Sequence, residues 1–225
     1  MTNIFTVRPQ EASDSTLAAG RELGLAIEAF PMWEIRPASW SAPDPATIDG
    51  LLIGSGNALL HAGEQLGLFA DKPVHAVGAR TAEIARAQGF AVASTGSGGL
   101  QQVIDALPPE PVRLLRLAAA DRVRLSPPPH VTLVPRVAYR TEAQPMTAQF
   151  AGKLVAGPAL VLLHSAAAAR HFAAQCDEHG VPRSGIALAA LGPRIADAAG
   201  GGWAAVASAP QPSDAALLAL VRELG

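Results

Sequence analysis

Short runs of consecutive apolar residues alternate along this chain with stretches whose apolar residues recur at three- and four-residue spacing. The runs predict buried strands and the spaced stretches predict helices. Strands are expected at 4–7, 25–30, 49–53, 74–77, 90–93, 113–117, 131–139, 159–163, 186–191 and 204–207. The first helix should be capped by Ser13, Asp14 or Ser15 and run through Leu23, where Gly24 closes it. Further helices are expected at Asn57–Gln65, Thr81–Gln88, Leu100–Leu107, Ala148–Leu154 and Ala166–His179, then between strands 186–191 and 204–207. Ser213 should cap a last helix, Ala215–Leu224. The proline-rich stretch Met32–Pro45 reads as an extended crossing rather than a packed element. Strands alternating with helices imply an α/β fold with parallel sheets and crossover helices.

The pattern occurs twice. Leu51–Leu60 reads LLIGSGNALL and Leu160–Ala169 reads LVLLHSAAAA: each is an apolar run broken at a serine, Ser55 or Ser165, and followed by a helical pattern. Val74–Val92 and Leu188–Val206 match next, with Gly78 on Gly192 and Ala82 on Ala196. A repeated strand–turn–helix unit implies two lobes, and a natural place for chemistry in a cleft between them. Extended crossings near Arg36 and Tyr139 suit a hinge of two strands. One lobe is then inserted in the other: residues 1–35 with 142–225 form the first, 39–136 the second, and 36–38 and 137–141 the crossings.

Composition narrows the classes. At 225 residues the chain can bury roughly 70% of its unfolded surface without staples. Its lone cysteine, Cys176, excludes a disulfide framework and lies on the apolar face of a helical stretch, which suggests buried filler. A net charge of −2 argues against nucleic-acid binding. Among the 17 basic residues only Lys72 and Lys153 are lysine, so 15 are arginine. Arginine suits bidentate recognition of carboxylates and phosphates; the plainer reading is a GC-rich coding bias, which the abundance of alanine supports. No apolar run reaches the roughly 18 residues that a membrane span needs. The start, MTNIFTVRPQEA, does not read as a signal peptide, so a cytoplasmic protein is expected.

Several constellations fail on their own terms. Gly54-Ser55-Gly56 has Leu59 where a dinucleotide fingerprint needs its third glycine. Thr95–Gly99 lacks the lysine of a phosphate loop and reads as a flexible turn. The six histidines show no helical metal-site pairing, and no nucleophile elbow or carboxylate pair is present. What remains stands at the carboxyl ends of expected strands, where ligands of such sheets collect. Ser55 with Asn57, and Ser165 in the second copy, either cap helices or bind anionic substrate, and the two roles are compatible. Gly78 precedes a helix that Thr81 opens, and Gly192 repeats that turn. Tyr139, the only tyrosine, lies in a crossing; it is a half-buried strand aromatic or a proton donor.

In order and spacing, these segments resemble the uroporphyrinogen-III synthase family. The resemblance rests on Thr6-Val7-Arg8-Pro9, Asp49 through Ala58, Val77 through Ala82, Tyr139-Arg140-Thr141, Leu162 through Ala166, Leu191-Gly192-Pro193 and Pro212-Ser213. Gly54, His164 and Ile195 stand where that family carries threonine, and Leu117-Ala118-Ala119 where it often carries Arg-Gly.

The resemblance implies two flavodoxin-like or Rossmann-like lobes with parallel sheets, joined by a two-stranded β connector. It implies cyclisation of the linear tetrapyrrole hydroxymethylbilane, with loss of water and inversion of ring D, by a lyase that needs no cofactor. Tyr139 would be the proton donor. Arg8, Ser55, Asn57, Gly78, Thr81, Arg140, Ser165, Gly192 and Arg194 would contact substrate. It further implies a monomer with no metal, no nucleic acid and no membrane partner, and transient contact with hydroxymethylbilane synthase. Two other readings stay open: a non-catalytic two-lobed ligand-binding or regulatory domain, and a flavin-binding electron carrier.

Overall fold

The structure is a computed structural model that describes residues 2–224. In chain order its elements begin with β1 (Asn3–Thr6), α1 (Gln10–Glu22), β2 (Ile27–Ala29), β3 (Trp33–Pro37), β4 (Gly50–Ile53) and α2 (Asn57–Leu60). There follow β5 (Val74–Val77), α3 (Ala79–Ala87), β6 (Val92–Gly96), α4 (Leu100–Asp105), β7 (Val112–Ala119) and β8 (Val131–Ala143). The chain ends with α5 (Ala148–Val155), β9 (Ala159–Leu163), α6 (Ala166–Glu178), β10 (Ile186–Ala190), α7 (Pro193–Ala198), β11 (Ala205–Ser208) and α8 (Asp214–Leu224). Two compact units result, Met1–Glu34 with Glu142–Gly225, and Ile35–Thr141. Their boundaries fall inside β3 and β8.

The first unit holds a five-stranded sheet in the order β11-β10-β9-β1-β2, with parallel neighbours throughout. Numbered along the chain, this is the 2-1-3-4-5 order of flavodoxin-like sheets. The six-stranded sheet runs β3-β8-β7-β4-β5-β6, and β8 through β6 are parallel neighbours. Its β8-β7-β4-β5-β6 part repeats the first sheet with β4 in the place of β9, so the chain enters this copy at its third strand. The sequence repeat is thereby explained: LLIGSGNALL covers β4 and α2, and LVLLHSAAAA covers β9 and the start of α6.

Central strands are apolar throughout because helices cover both faces. Every residue of β4 and of β9 is buried. One face of β9 packs Val161 and Leu163 with Phe5, Phe150 and Phe172, where Phe30 stacks on Phe150 at 4.5 Å. The other packs Leu160 and Leu162 against Leu217 and Val221 of α8. In the second unit Leu51 and Ile53 join Phe69 and Ala82 on one face, while Leu52 joins Leu114 and Ile104 on the other.

Several elements differ from the sequence expectation. α1 starts at Gln10, directly after Pro9, so Ser13, Asp14 and Ser15 lie within the helix rather than capping it. The buried Ser13 hydroxyl donates instead to the Arg8 carbonyl at 3.0 Å. α2 lasts one turn, because Gly63 turns the chain at φ +71° and Glu64–Phe69 continues as 3₁₀ helix. Within the supposed crossing, Trp33–Pro37 is a sheet strand beside β8.

Candidate active site

In a 2-1-3-4-5 sheet the connections depart in opposite directions from strands 1 and 3, and this switch point is where ligands bind. In the second unit it lies between β7 and β4. A cavity of about 160 Å³ opens there, bordered by Gly54 and Ser55 after β4, Ala118 and Ala119 of β7, and Tyr139 of β8. Tyr139 is 8% exposed, with its ring 6.3 Å from that of His61, whose Nε2 is buried without a partner. Ser55 Oγ accepts only a long hydrogen bond, 3.4 Å, from the Asn57 amide, so its hydroxyl is weakly engaged. The glycine after it has a packing cause: a Cβ on Gly56 would stand 2.3 Å from Ile84 Cδ1 of α3.

Arg116 reaches this cavity from β7. It also borders a second cavity, about 470 Å³, with Arg122, Arg124, Leu125 and Pro135. Arg116 is 5% exposed, donates from Nη2 to the Val123 carbonyl at 2.7 Å, and keeps a buried Nε with no partner. Burial, then the neighbouring Arg122 charge, pushes its pKa down. Sequence reading gave Arg116 no role. The available signal was a charge in the middle of the apolar run 113–117, where a buried arginine is rare unless paired.

The equivalent switch point of the first unit lies between β1 and β9, and an ion cluster stands there. Arg8 Nη1 lies 2.8 Å from Asp214 Oδ2 and 3.1 Å from Thr16 Oγ1. His164 stands beside them with only 9% of its side chain exposed and both ring nitrogens unbonded. Burial first, then Arg8, lowers its pKa to about 4 against the upward pull of Asp214. His164 is therefore neutral at pH 7, and its 3.6 Å approach to Asp214 is no ion pair there. Ser165 caps α6, its Oγ accepting from the Ala168 amide at 3.1 Å.

The remaining expected site residues are dispersed within their units. Asn57 is the first residue of α2. Gly78 adopts φ +79° before α3, while Gly192, its partner in the repeat, is extended at φ −177°. Thr81 does not open α3: it is the third residue and 7% exposed. Arg140 on β8 and Arg194 on α7 are exposed. In the turn 95–99 the Gly98 amide donates to Gln102 Oε1 at 2.7 Å. Cys176 is fully buried and burial lifts its pKa to about 12. Among the described residues no group of three or more His, Cys, Asp or Glu is placed to hold a metal ion, and no helix is long and apolar enough to cross a membrane.

Two flavodoxin-ordered sheets with a cavity at a switch point make this an α/β protein of the doubly wound class. Residues 14–219 match the family model of uroporphyrinogen-III synthase. The chain belongs to that family, and its activity is the one for which the family is named. Its fold matches the uroporphyrinogen-III synthetase of Helicobacter pylori, with 16% identity, all of both chains covered and a TM-score of 0.70. Thermus thermophilus uroporphyrinogen III synthase aligns over all of both chains at 18% identity and TM-score 0.41. At 16% identity the Helicobacter likeness concerns the fold alone. No curated protein matches the chain.

Proposed function

We propose that the chain closes hydroxymethylbilane to uroporphyrinogen III as a cyclising lyase, with Tyr139 as the proton donor. The observation that carries the residue assignment is that Tyr139 and Ser55 border one cavity at the switch point of the second unit. A cavity of about 160 Å³ takes one end of a tetrapyrrole, which suits chemistry at a terminal ring. In this reading the Tyr139 hydroxyl gives its proton to the ring A hydroxyl as the C–O bond breaks, and water leaves. The resulting azafulvene cation is attacked by the substituted carbon of ring D. The spiro intermediate fragments and recloses with ring D inverted, and loss of a ring proton restores the tyrosine.

Such chemistry asks little of acid–base strength and much of positioning. Ser55, Asn57, Gly78, Thr81, Ser165 and Gly192 would offer hydroxyl, amide or backbone N–H groups to the substrate carboxylates, and Arg140 and Arg194 charge. Arg8 would join them on exchanging Asp214 for a substrate carboxylate. The same reading has the chain acting as a monomer in the cytoplasm and receiving its short-lived substrate from hydroxymethylbilane synthase.

The test generates hydroxymethylbilane in place from porphobilinogen and its synthase, adds this chain, and separates the oxidised products by isomer. Isomer III in proportion to added protein is the expected result. Isomer I alone, the product of spontaneous closure, would overturn the reading.

A further inference from the structure

Arg116 is an anomaly that the fold does not explain. Its neighbours on β7, Leu114, Leu115 and Leu117, are at most 1% exposed, so it sits in an apolar strand between two apolar faces. An unpaired buried charge costs several kcal/mol and is usually matched by a carboxylate. Arg116 has no ion pair; one bond goes to the Val123 carbonyl, and Nε has none. The charge that acts on it is another cation, Arg122, while the one carboxylate that borders the smaller cavity, Asp121, makes no ion pair with it. Both cavities at this end of the sheet reach Arg116 and Arg122, and the smaller one also contains Tyr139. A guanidinium with an unpartnered Nε at the junction of two cavities is placed to take an anion.

We infer that Arg116, with Arg122 at the rim, is a carboxylate subsite that anchors one acidic side chain of the substrate beside Tyr139. The subsite rests on the proposed function for the source of that carboxylate. The chemistry is the planar fork-to-carboxylate match that arginine provides and lysine does not. The anion supplies in the complex the compensation that the free chain lacks. Arg124 borders only the larger cavity, so its part is confined to that side. A purely structural Arg116 would instead act by tethering the 120–127 loop through Val123.

Arg116→Met keeps the aliphatic reach and removes the charge. Titration with uroporphyrin III, the oxidised octacarboxylate product, is expected to show affinity falling about ten-fold or more. KM should rise in the isomer assay with kcat changed far less, and Tm should stay level or increase, because an uncompensated buried charge is gone. Arg116→Lys should recover only part of the affinity. Arg122→Ser, at an exposed position, gives a second variant whose folding is not at issue; it should weaken uroporphyrin binding while leaving Tm unchanged.

Wild-type affinity in both Arg116→Met and Arg122→Ser would overturn the subsite, as would a fall in Tm with affinity intact. Titration with inorganic phosphate separates the sources. Phosphate binding that is lost in Arg116→Met while uroporphyrin binding is kept would assign the site to a free anion and overturn the inference. Isomer III from the wild type together with unaltered Arg116→Met binding rejects the subsite alone. Isomer I alone from the wild type rejects the functional reading and the substrate assignment together.

Discussion

Arg8, just after β1, and Asp214 at the start of α8 are 206 residues apart, yet their side chains meet at 2.8 Å. The contact stands at the switch point of the first unit, whereas a cavity opens at the switch point of the second. The copy with the ion cluster carries His164 against it, and the copy with the cavity carries Tyr139.

His164 makes stability depend on acid. Its pKa in the folded chain, about 4, is below the unfolded value of about 6.5, so the unfolded chain binds the extra proton first. The stabilisation is full above pH 6.5 and is lost as pH falls from there towards 4, with a contribution on the order of 3 kcal/mol. Urea unfolding at pH 7 and pH 5 should show this loss, and His164→Leu should flatten it. An unchanged slope in the variant would contradict the assignment.

The two serines of the repeat should respond differently. Ser165 caps a helix of 13 residues at 3.1 Å, so Ser165→Ala should cost about 1 kcal/mol in denaturant unfolding. Ser55 makes only a 3.4 Å contact. Ser55→Ala should cost less than half as much stability and act instead on KM.

The two glycines divide in the same way. Gly78 needs its positive φ of +79°, so Gly78→Ala should destabilise by about 1–2 kcal/mol. Gly192 is extended, and nothing lies within 4 Å of a Cβ built there. Gly192→Ala should leave Tm within a degree or two of wild type. Equal losses in both would contradict the backbone difference.

Cys176 should be silent in the native chain. It is fully buried and its thiol is pushed up to about 12, so a disulfide reagent at pH 8 should label it only after unfolding. Rapid labelling without denaturant would show that α6 opens locally.

The α/β architecture was legible because central strands are apolar on both faces and the repeat marks equivalent positions. Ala159–Leu163 and Val74–Val77 read directly as strands, having buried neighbours on both sides. Element ends were less legible where backbone geometry overrode side-chain signals: Pro9 starts α1 ahead of Ser13, and Gly63 ends what composition continues to Gln65. β3 was legible only as one of two hinge strands near Arg36, because the prolines around it resemble a linker, and its place in the sheet depends on β8, some 100 residues later. In the candidate site, Ser55 and Tyr139 were legible from resemblance and position, and they border one cavity. Thr81 was misread as a helix opener, since α3 begins two residues earlier. Arg116 was missed because its meaning lies in what is absent around it, and a sequence does not display a missing partner.

The measurement that tests the central claim most directly compares wild type and Tyr139→Phe in the coupled isomer assay, with uroporphyrin III binding measured on the same samples. Loss of a positioned proton donor should lower isomer III formation by about 10²-fold or more, leaving mainly isomer I, while affinity stays within about two-fold. Tyr139→Phe that forms isomer III at the wild-type rate would contradict the assignment of Tyr139 and, with it, the cavity between β4 and β7 as the place of the chemistry.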